Sequence, residues 1–284
     1  GVDCLTDYYD VAFKRENMAG FVDHERFHFR QEDLLDLDAV DLLAGQAACF
    51  HLAAQAGVRA SWGQDFEHYT DHNVLASQRV LEAALAAGAP RVVYASSSSV
   101  YGEAPDLPLR EDGPCRPVSP YGVTKLAAEH LAVLYHRSYG LPTVSLRYFT
   151  VFGPRQRPDM AFHRFFKAAR DDEPVRVFGD GRQTRDFTFV SDIVAATRAA
   201  AVSGRAGSVY NVGGGERVEL NHVLSLIEEI IGRPLHNQRE EVQRGDMRDT
   251  FADTTAARRD LGFQSRVGLA EGLAREWDWL RGRR

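Results

Sequence analysis

The 284-residue sequence holds only three cysteines, Cys4, Cys49 and Cys115, widely spaced and without a CxxC pair. Neither a disulfide framework nor a zinc site is expected from such a pattern, and no metal is expected. No apolar run is long enough to cross a bilayer. The nearest approach, residues 42–58, is interrupted by Gln46, His51 and Gln55. No secretion signal is visible, so the chain reads as cytoplasmic, with no membrane partner. A strong excess of one charge is also missing. The net charge is −6, which gives no electrostatic reason to expect nucleic acid. Finally, neither GxGxxG nor GxxGxxG occurs at any position, so no phosphate-cradling glycine turn is present in these residues.

What is present is the pattern of an α/β protein. Short β-rich runs at 27–29, 48–52, 91–95 and 143–147 alternate with helical patterns at 34–43, 73–87 and 121–138. Strands separated by helices imply a doubly wound parallel sheet, Rossmann-like, whose ligands bind at the carboxyl ends of the strands. Beyond Val151 the pattern loosens into short elements and turns such as Gly179-Asp180-Gly181 and Gly213-Gly214-Gly215. We expect a smaller, loop-rich C-terminal substrate lobe there, with a helix over 190–202 returning to the sheet. Residues 1–150, with about 186–203, then form the dinucleotide domain, and the remainder of 151–284 forms the lobe. A dinucleotide-binding unit needs an acid at the end of its second strand to hold a ribose. Asp3 takes that position if Gly1-Val2 ends the second strand, which places the first strand, glycine turn and helix roughly 30 residues upstream.

Three features carry chemistry. Ser96 to Ser99 follow the strand ending at Ala95, and Tyr121 and Lys125, spaced i, i+4, share one face of the next helix. A strand ending in Arg147-Tyr148-Phe149 comes after it. Each feature alone is ordinary: serines after a strand are usually loop or cap residues, and a YxxxK pair is often solvent-facing. Their order gives them a reaction logic. A tyrosine serves as a base near neutral pH only if its phenolate is favoured against a reference value near 10, and a lysine ammonium and a cationic nicotinamide both favour it. A serine hydroxyl then holds the substrate oxygen while Tyr121 takes its proton.

The motifs Asp3, His51-Leu52-Ala53-Ala54, Ser97 with Val100-Tyr101-Gly102, Tyr121-Gly122-Val123-Thr124-Lys125, Arg147-Tyr148-Phe149, Gly179-Asp180-Gly181, Arg185-Asp186-Phe187 and Tyr210-Asn211-Val212-Gly213 resemble the extended short-chain dehydrogenase/reductase family. The resemblance covers essentially the whole chain. Asp7-Tyr8-Tyr9-Asp10, Ala54-Gln55-Ala56-Gly57-Val58-Arg59, Phe149-Thr150-Val151 and Arg157-Pro158-Asp159-Met160 are most similar to its UDP-glucuronate 4-epimerases. It implies a bound NAD, with Ser97, Tyr121 and Lys125 catalytic. Asp3, Asp33, Leu34, Leu52, Ala53, Ala54, Tyr148 and Val151 are its implied cofactor contacts, together with Tyr121 and Lys125. The implied contacts to a UDP-sugar are Arg59, Ser97, Ser98, Ser99, Tyr121, Thr150, Arg157, Arg185, Arg244 and Asp246. A homodimer through the helices that begin near Asn73 and Tyr121 is implied as well.

The implied reaction oxidises sugar C4 to a ketone and reduces it on the other face. With a glucuronate substrate that intermediate is a β-keto acid, which loses carbon dioxide when the carboxylate bond stands perpendicular to the ketone plane. Ser98, Ser99 and Thr150 are candidates for holding the carboxylate elsewhere. Related 4,6-dehydratases carry an Asp-Glu pair after the catalytic hydroxyl, and related decarboxylases a Glu before the Val-Tyr-Gly triplet. Ser98 and Ser99 stand there instead. A UDP-glucose 4-epimerase remains open, separated only by Thr150. A non-catalytic nucleotide-binding protein on the same fold is the competing class, and the intact Ser97, Tyr121 and Lys125 set argues against it. His24 and His28 are not read as a metal pair, and Trp277 and Trp279 are read as packing residues of a last helix.

Overall fold

The computed structural model describes residues 1–88, 90–103 and 106–283. Among them the strands are β1 (Ala48–His51), β2 (Arg91–Ser97), β3 (Thr143–Tyr148), β4 (Thr150–Phe152), β5 (Val175–Phe178), β6 (Thr184–Phe189), β7 (Ser208–Val212), β8 (Arg217–Glu219) and β9 (Asn237–Glu240). A parallel sheet runs in the order β1-β2-β3-β7. Its register pairs Ser97 with Tyr148 and Tyr148 with Val212, so the carboxyl ends of three strands align along one edge. That edge is where a doubly wound sheet presents ligand-binding residues.

The alternation along β2 shows why both faces are covered. Val92 packs with Leu81, Ala84, Ala132 and Leu141 beneath the helices Ala76–Ala86 and Pro120–Tyr139. Val93 turns the other way, with Val144, Leu146, Ile193 and Ala196 beneath the helix Val190–Ser203. The helix Pro120–Tyr139 starts where Ser119 Oγ accepts the Gly122 amide at 3.1 Å and Pro120 occupies its first position. It stops at Gly140, whose φ of 73° closes the last turn.

The second half of the chain is more ordered than its sequence suggests. β4, β6 and β8 form one small sheet, and β5 and β9 another. The helix Ala161–Asp171 spaces Phe162, Phe165, Phe166 and Ala169 on its buried face. These phenylalanines join Phe152, Phe189, Ile227 and Leu273 in a core that Trp277 and Trp279 flank. β7, in the range expected for the smaller lobe, instead completes the parallel sheet.

Three boundaries differ from the sequence reading. Residues 27–29 form no strand: opposite them stand only Gly1–Asp3, and the contact is a single parallel bridge between Val2 and Arg30. The helix expected over 34–43 shortens to Ala39–Leu43, because Asp38 caps Val40 and Asp33 binds the Leu35 amide in a local turn. β2 does not end at Ala95. It carries Ser96 and Ser97 within the ladder, and only Ser98–Val100 turn out of it.

Candidate active site

The end of β2 and the start of the helix Pro120–Tyr139 bring the chemistry together. Ser97 Oγ accepts the Ser99 amide at 3.1 Å and so caps the Ser98–Val100 turn. The helix meets that turn at Gly122, where an added Cβ would lie 2.5 Å from the Ser99 carbonyl oxygen and 2.9 Å from Pro117 Cβ. Glycine therefore allows the approach. One residue earlier, the Tyr121 side chain reaches the Ser97 hydroxyl. Burial raises the Tyr121 phenol above its ordinary value, and the Ser97 hydroxyl and the Arg157 guanidinium draw it back down.

Lys125 lies one turn further along, buried, with Nζ 4.6 Å from the centroid of the Tyr94 ring. Burial lowers the ammonium to about 7 despite the opposing charge of Glu129 another turn on. Glu129 is buried and bound on both oxygens. Ser96 Oγ donates to Oε2 at 2.6 Å, and Arg147 spans the carboxylate from β3 at 3.0 and 2.6 Å. Arg147 continues through Tyr101 OH, at 2.7 Å, to Asn211 of β7, also 2.7 Å away.

A second wall comes from the segment after β1. Asn73, buried in the Thr70–Leu75 π-turn, accepts the Gln55 amide at 2.7 Å. It also donates to the Gln55 carbonyl and to Thr124 Oγ1, each at 3.0 Å. Its amide thus ties Gln55 to the helix Pro120–Tyr139, and π-turns of this kind are frequent at functional sites. Tyr69 donates to the carbonyls of Ala56 and Gly57 and meets Tyr121 edge to face, with centroids 6.3 Å apart. Tyr8 closes over Gly57, whose φ of 103° and close contact with the Tyr8 hydroxyl leave no room for a side chain. Arg157 and Asp159 pair at 2.9 Å through two hydrogen bonds beside it.

The model of the NAD dependent epimerase/dehydratase family matches residues 6–213. The chain belongs to that family. It is 42% identical, over 99% of its length and 89% of the relative, to an uncharacterized UDP-glucose epimerase, YtcB, of Bacillus subtilis. It is 36% identical to a UDP-glucuronate 4-epimerase of Thermodesulfobacterium geofontis, over 98% of this chain and 87% of that one. The structure of UDP-glucuronic acid 4-epimerase from Bacillus cereus, in complex with UDP-glucuronic acid and NAD, superposes with a TM-score of 0.96. That match has 40% identity and covers 99% of this chain and 90% of the other. The chain has the Rossmann-like α/β fold of these epimerases.

With the family established, the remaining site residues fall into three groups. Ser98 is buried, and Ser99 and Thr150 are partly exposed near the carboxyl edge. The polar cluster further out unites Arg59, Asp246 and Arg185. Arg59 binds Asp246 at 2.6 Å and lies 4.1 Å from the centroid of Phe178. Arg185 donates to the carbonyls of Thr184 and Arg248, and burial lowers it while the charge of Asp246 supports it. Its neighbour Asp186 is buried, takes the amides of Gly214 at 2.5 Å and Ala252 at 3.0 Å, and is raised by burial to about 6. Arg244 is exposed, beside a Gly245 whose added Cβ would sit 3.2 Å from Val58. Arg157 lies with Tyr8 and Tyr121 rather than in this arginine cluster.

On the cofactor side, Leu52 and Ala53 are exposed and Ala54 half-buried after β1. Asp3 and Asp33 both bear on the Cys4 thiol, which places the two acids together at the end of the Val2–Arg30 bridge. Tyr148 and Val151 lie at the end of β3 and in β4. They pack into the core on the Val190–Ser203 face, where the Tyr148 hydroxyl meets Thr197 at 2.7 Å. Tyr69, Asn73, Glu129 and Phe178 carry no site role in the sequence reading, and Tyr8 enters it only within a motif. Only Glu129 had a signal, since Tyr121, Lys125 and Glu129 repeat at i, i+4, i+8 along one stripe.

Proposed function

We propose that the protein is an NAD-dependent 4-epimerase of UDP-sugars, interconverting UDP-glucuronate and UDP-galacturonate. The observation that carries the reading is the meeting of Ser97 and Tyr121 at the carboxyl edge, beside a strand end that holds hydroxyls and no carboxylate. Family members that eliminate water or carbon dioxide need an acid there.

The residues present suit NAD. Asp3 stands exposed next to the Val2–Arg30 bridge, open to ribose hydroxyls. The buried Lys125 ammonium, with an aromatic face beneath it, retains donors for a ribose. NAD held there would supply the hydride acceptor and donor for sugar C4. Tyr121 removes the C4 hydroxyl proton and later restores it, and Ser97 holds that oxygen. Lys125 favours the phenolate electrostatically. Ser98, Ser99 and Thr150 bind the sugar carboxylate through neutral hydroxyls and keep it out of the perpendicular geometry. Arg185, Arg59, Asp246, Arg157 and Arg244 serve the UDP moiety, arginine being suited to bidentate phosphate contact.

Residues 1–150 with about 186–203, together with β7, make the cofactor side, and the rest of 151–284 the UDP-sugar side. A homodimer is supported by Leu75, Val123, Leu134 and Tyr139, exposed on the paired helices over 70–86 and 120–139. No helix among the described residues is long and apolar enough to cross a membrane, and a cytoplasmic setting goes with the use of NAD. A UDP-glucose 4-epimerase is the second reading, favoured by the name of the B. subtilis relative. The test of the mechanism is nicotinamide absorbance on mixing the NAD-loaded protein with UDP-glucuronate. A transient reduced signal is expected, and its absence at all substrate concentrations would remove the redox mechanism.

A further inference from the structure

Beneath the catalytic pair lies a buried polar chain of which the epimerase mechanism uses only Lys125. Ser96, Lys125, Glu129, Tyr101, Arg147 and Asn211 are each no more than 4% exposed. Glu129 pairs directly with the Arg147 cation and lies one helical turn from the buried Lys125 cation. A buried charge left unbalanced is costly, so the arrangement has a reason to hold both cations at once. Its geometry is also directional. Ser96 donates to Glu129 at 2.6 Å, and Ser96 is the residue before Ser97. The Glu129 carboxylate therefore fastens the strand end that presents Ser97 to the helix that presents Tyr121 and Lys125.

We propose that Glu129 is a positioning residue for the reaction: it fixes Ser97 against Tyr121 through Ser96, and from one turn along the same buried helix face it supplies the negative charge beside the Lys125 ammonium. The groups facing Lys125 are few. From its own helix come Tyr121 and Glu129, from β2 the Tyr94 ring, and from β1 His51. His51 binds Ser77 Oγ at 2.8 Å and is lowered by burial, with Lys125 adding to the effect, to about 3, so it is neutral and offers no balancing charge. Arg147 is faced by Tyr101, Cys115 and Glu129. Glu111 turns its carboxylate to the Asn211 amide at 2.8 Å. Glu129 is thus the one acid among the described residues that acts on Lys125.

The sequence offers a clean measurement, because it contains only three lysines, Lys14, Lys125 and Lys167. Protein carrying ¹³C-labelled lysine, with NAD in every sample, is titrated from mildly acidic to alkaline pH, and the three Cε signals are followed by NMR. The parent Lys125 signal should titrate near 7, and in Glu129→Gln its midpoint should fall by about one pH unit, a tenfold loss of proton affinity. The alkaline limb of kcat should move with it, while KM for UDP-glucuronate stays within about twofold. Glu129→Asp, which keeps the charge, should restore the midpoint. Because Glu129→Gln strands the Arg147 charge, the double variant Glu129→Gln/Arg147→Met is titrated in parallel and should show the same fall. A Lys125 midpoint within about 0.3 pH units of the parent in a folded charge-removing variant would overturn the proposal. So would a drop in kcat with an unmoved pH profile, which marks a merely structural ion pair. The kinetic arm rests on the epimerase reading and the titration does not. An inactive parent would therefore sink that reading while the Lys125 midpoint still decides this one.

Discussion

Lys125 Nζ lies 4.6 Å from the centroid of the Tyr94 ring, and the Tyr94 hydroxyl reaches back to the Lys125 carbonyl at 3.4 Å. An aromatic face is a weak partner for an ammonium, about 0.5–2 kcal/mol, and it leaves the Nζ–H donors free. The protein therefore keeps Lys125 buried and positioned without satisfying it internally. Those donors are what the proposed mechanism assigns to a ligand hydroxyl, with the Tyr121 phenol one helical turn away.

Tyr121→Phe deletes the phenol and little else. Epimerisation should fall by roughly 10²–10⁴, with UDP-sugar affinity by calorimetry close to the parent. Turnover within about threefold of the parent would take Tyr121 out of proton transfer.

Gly122→Ala tests the close approach. Its Cβ would press on the Ser99 carbonyl oxygen at 2.5 Å and on Pro117, both held in place by chain. Overpacking of this kind costs about 1–3 kcal/mol, and it should separate Ser97 from Tyr121. We expect a lower Tm together with a fall in kcat larger than the rise in KM. An active variant with parental Tm would mean that the turn yields freely.

Much of this site was legible in the sequence, and what escaped has a common cause. Ser97, Tyr121 and Lys125 stood out because one strand end and one helix turn set their spacing locally. Asn73, Tyr69 and Tyr8 reach the same cleft from segments whose proximity depends on the tertiary fold, and no local period marks them. The helix expected from 73 starts with a π-turn at Thr70 because Asn73 spends its amide on Gln55 and Thr124. Tyr148 follows the alternation of its strand. Strand alternation sends Arg147 to the catalytic face and therefore Tyr148 to the other, where Thr197 receives it. The order beyond Val151 was hidden because its core is built from phenylalanines scattered over short elements.

Glu276 gives a pH dependence away from the catalytic groups. It is fully buried, accepts the Gly153 amide at 2.8 Å, and is raised by burial to about 8. A carboxyl whose folded value exceeds its unfolded value binds more protons in the native state between the two. Stability is then full below the unfolded value near 4.5 and is lost as pH rises toward 8. Glu276→Gln keeps the acceptor and removes the ionisation. The parent Tm should fall relative to the variant across that window, and parallel curves would show that Glu276 does not titrate there.

Thr150→Val keeps the shape of the side chain and removes one hydroxyl from the proposed carboxylate grip. A lost hydrogen bond to a charged group is worth about 1.5–3 kcal/mol, enough to shift the partition of the 4-keto intermediate roughly tenfold toward carbon dioxide loss. A UDP-pentose by-product with slower epimerisation is expected. A variant that forms none, at parental rate, would place the carboxylate elsewhere.

The most direct measurement is product analysis, by mass spectrometry and NMR, of the parent protein incubated with NAD and either UDP-glucuronate or UDP-glucose. The account predicts UDP-galacturonate as the main product, formed faster than UDP-galactose and without appreciable UDP-pentose. Faster conversion of UDP-glucose, or a UDP-pentose as the main product from UDP-glucuronate, would contradict it.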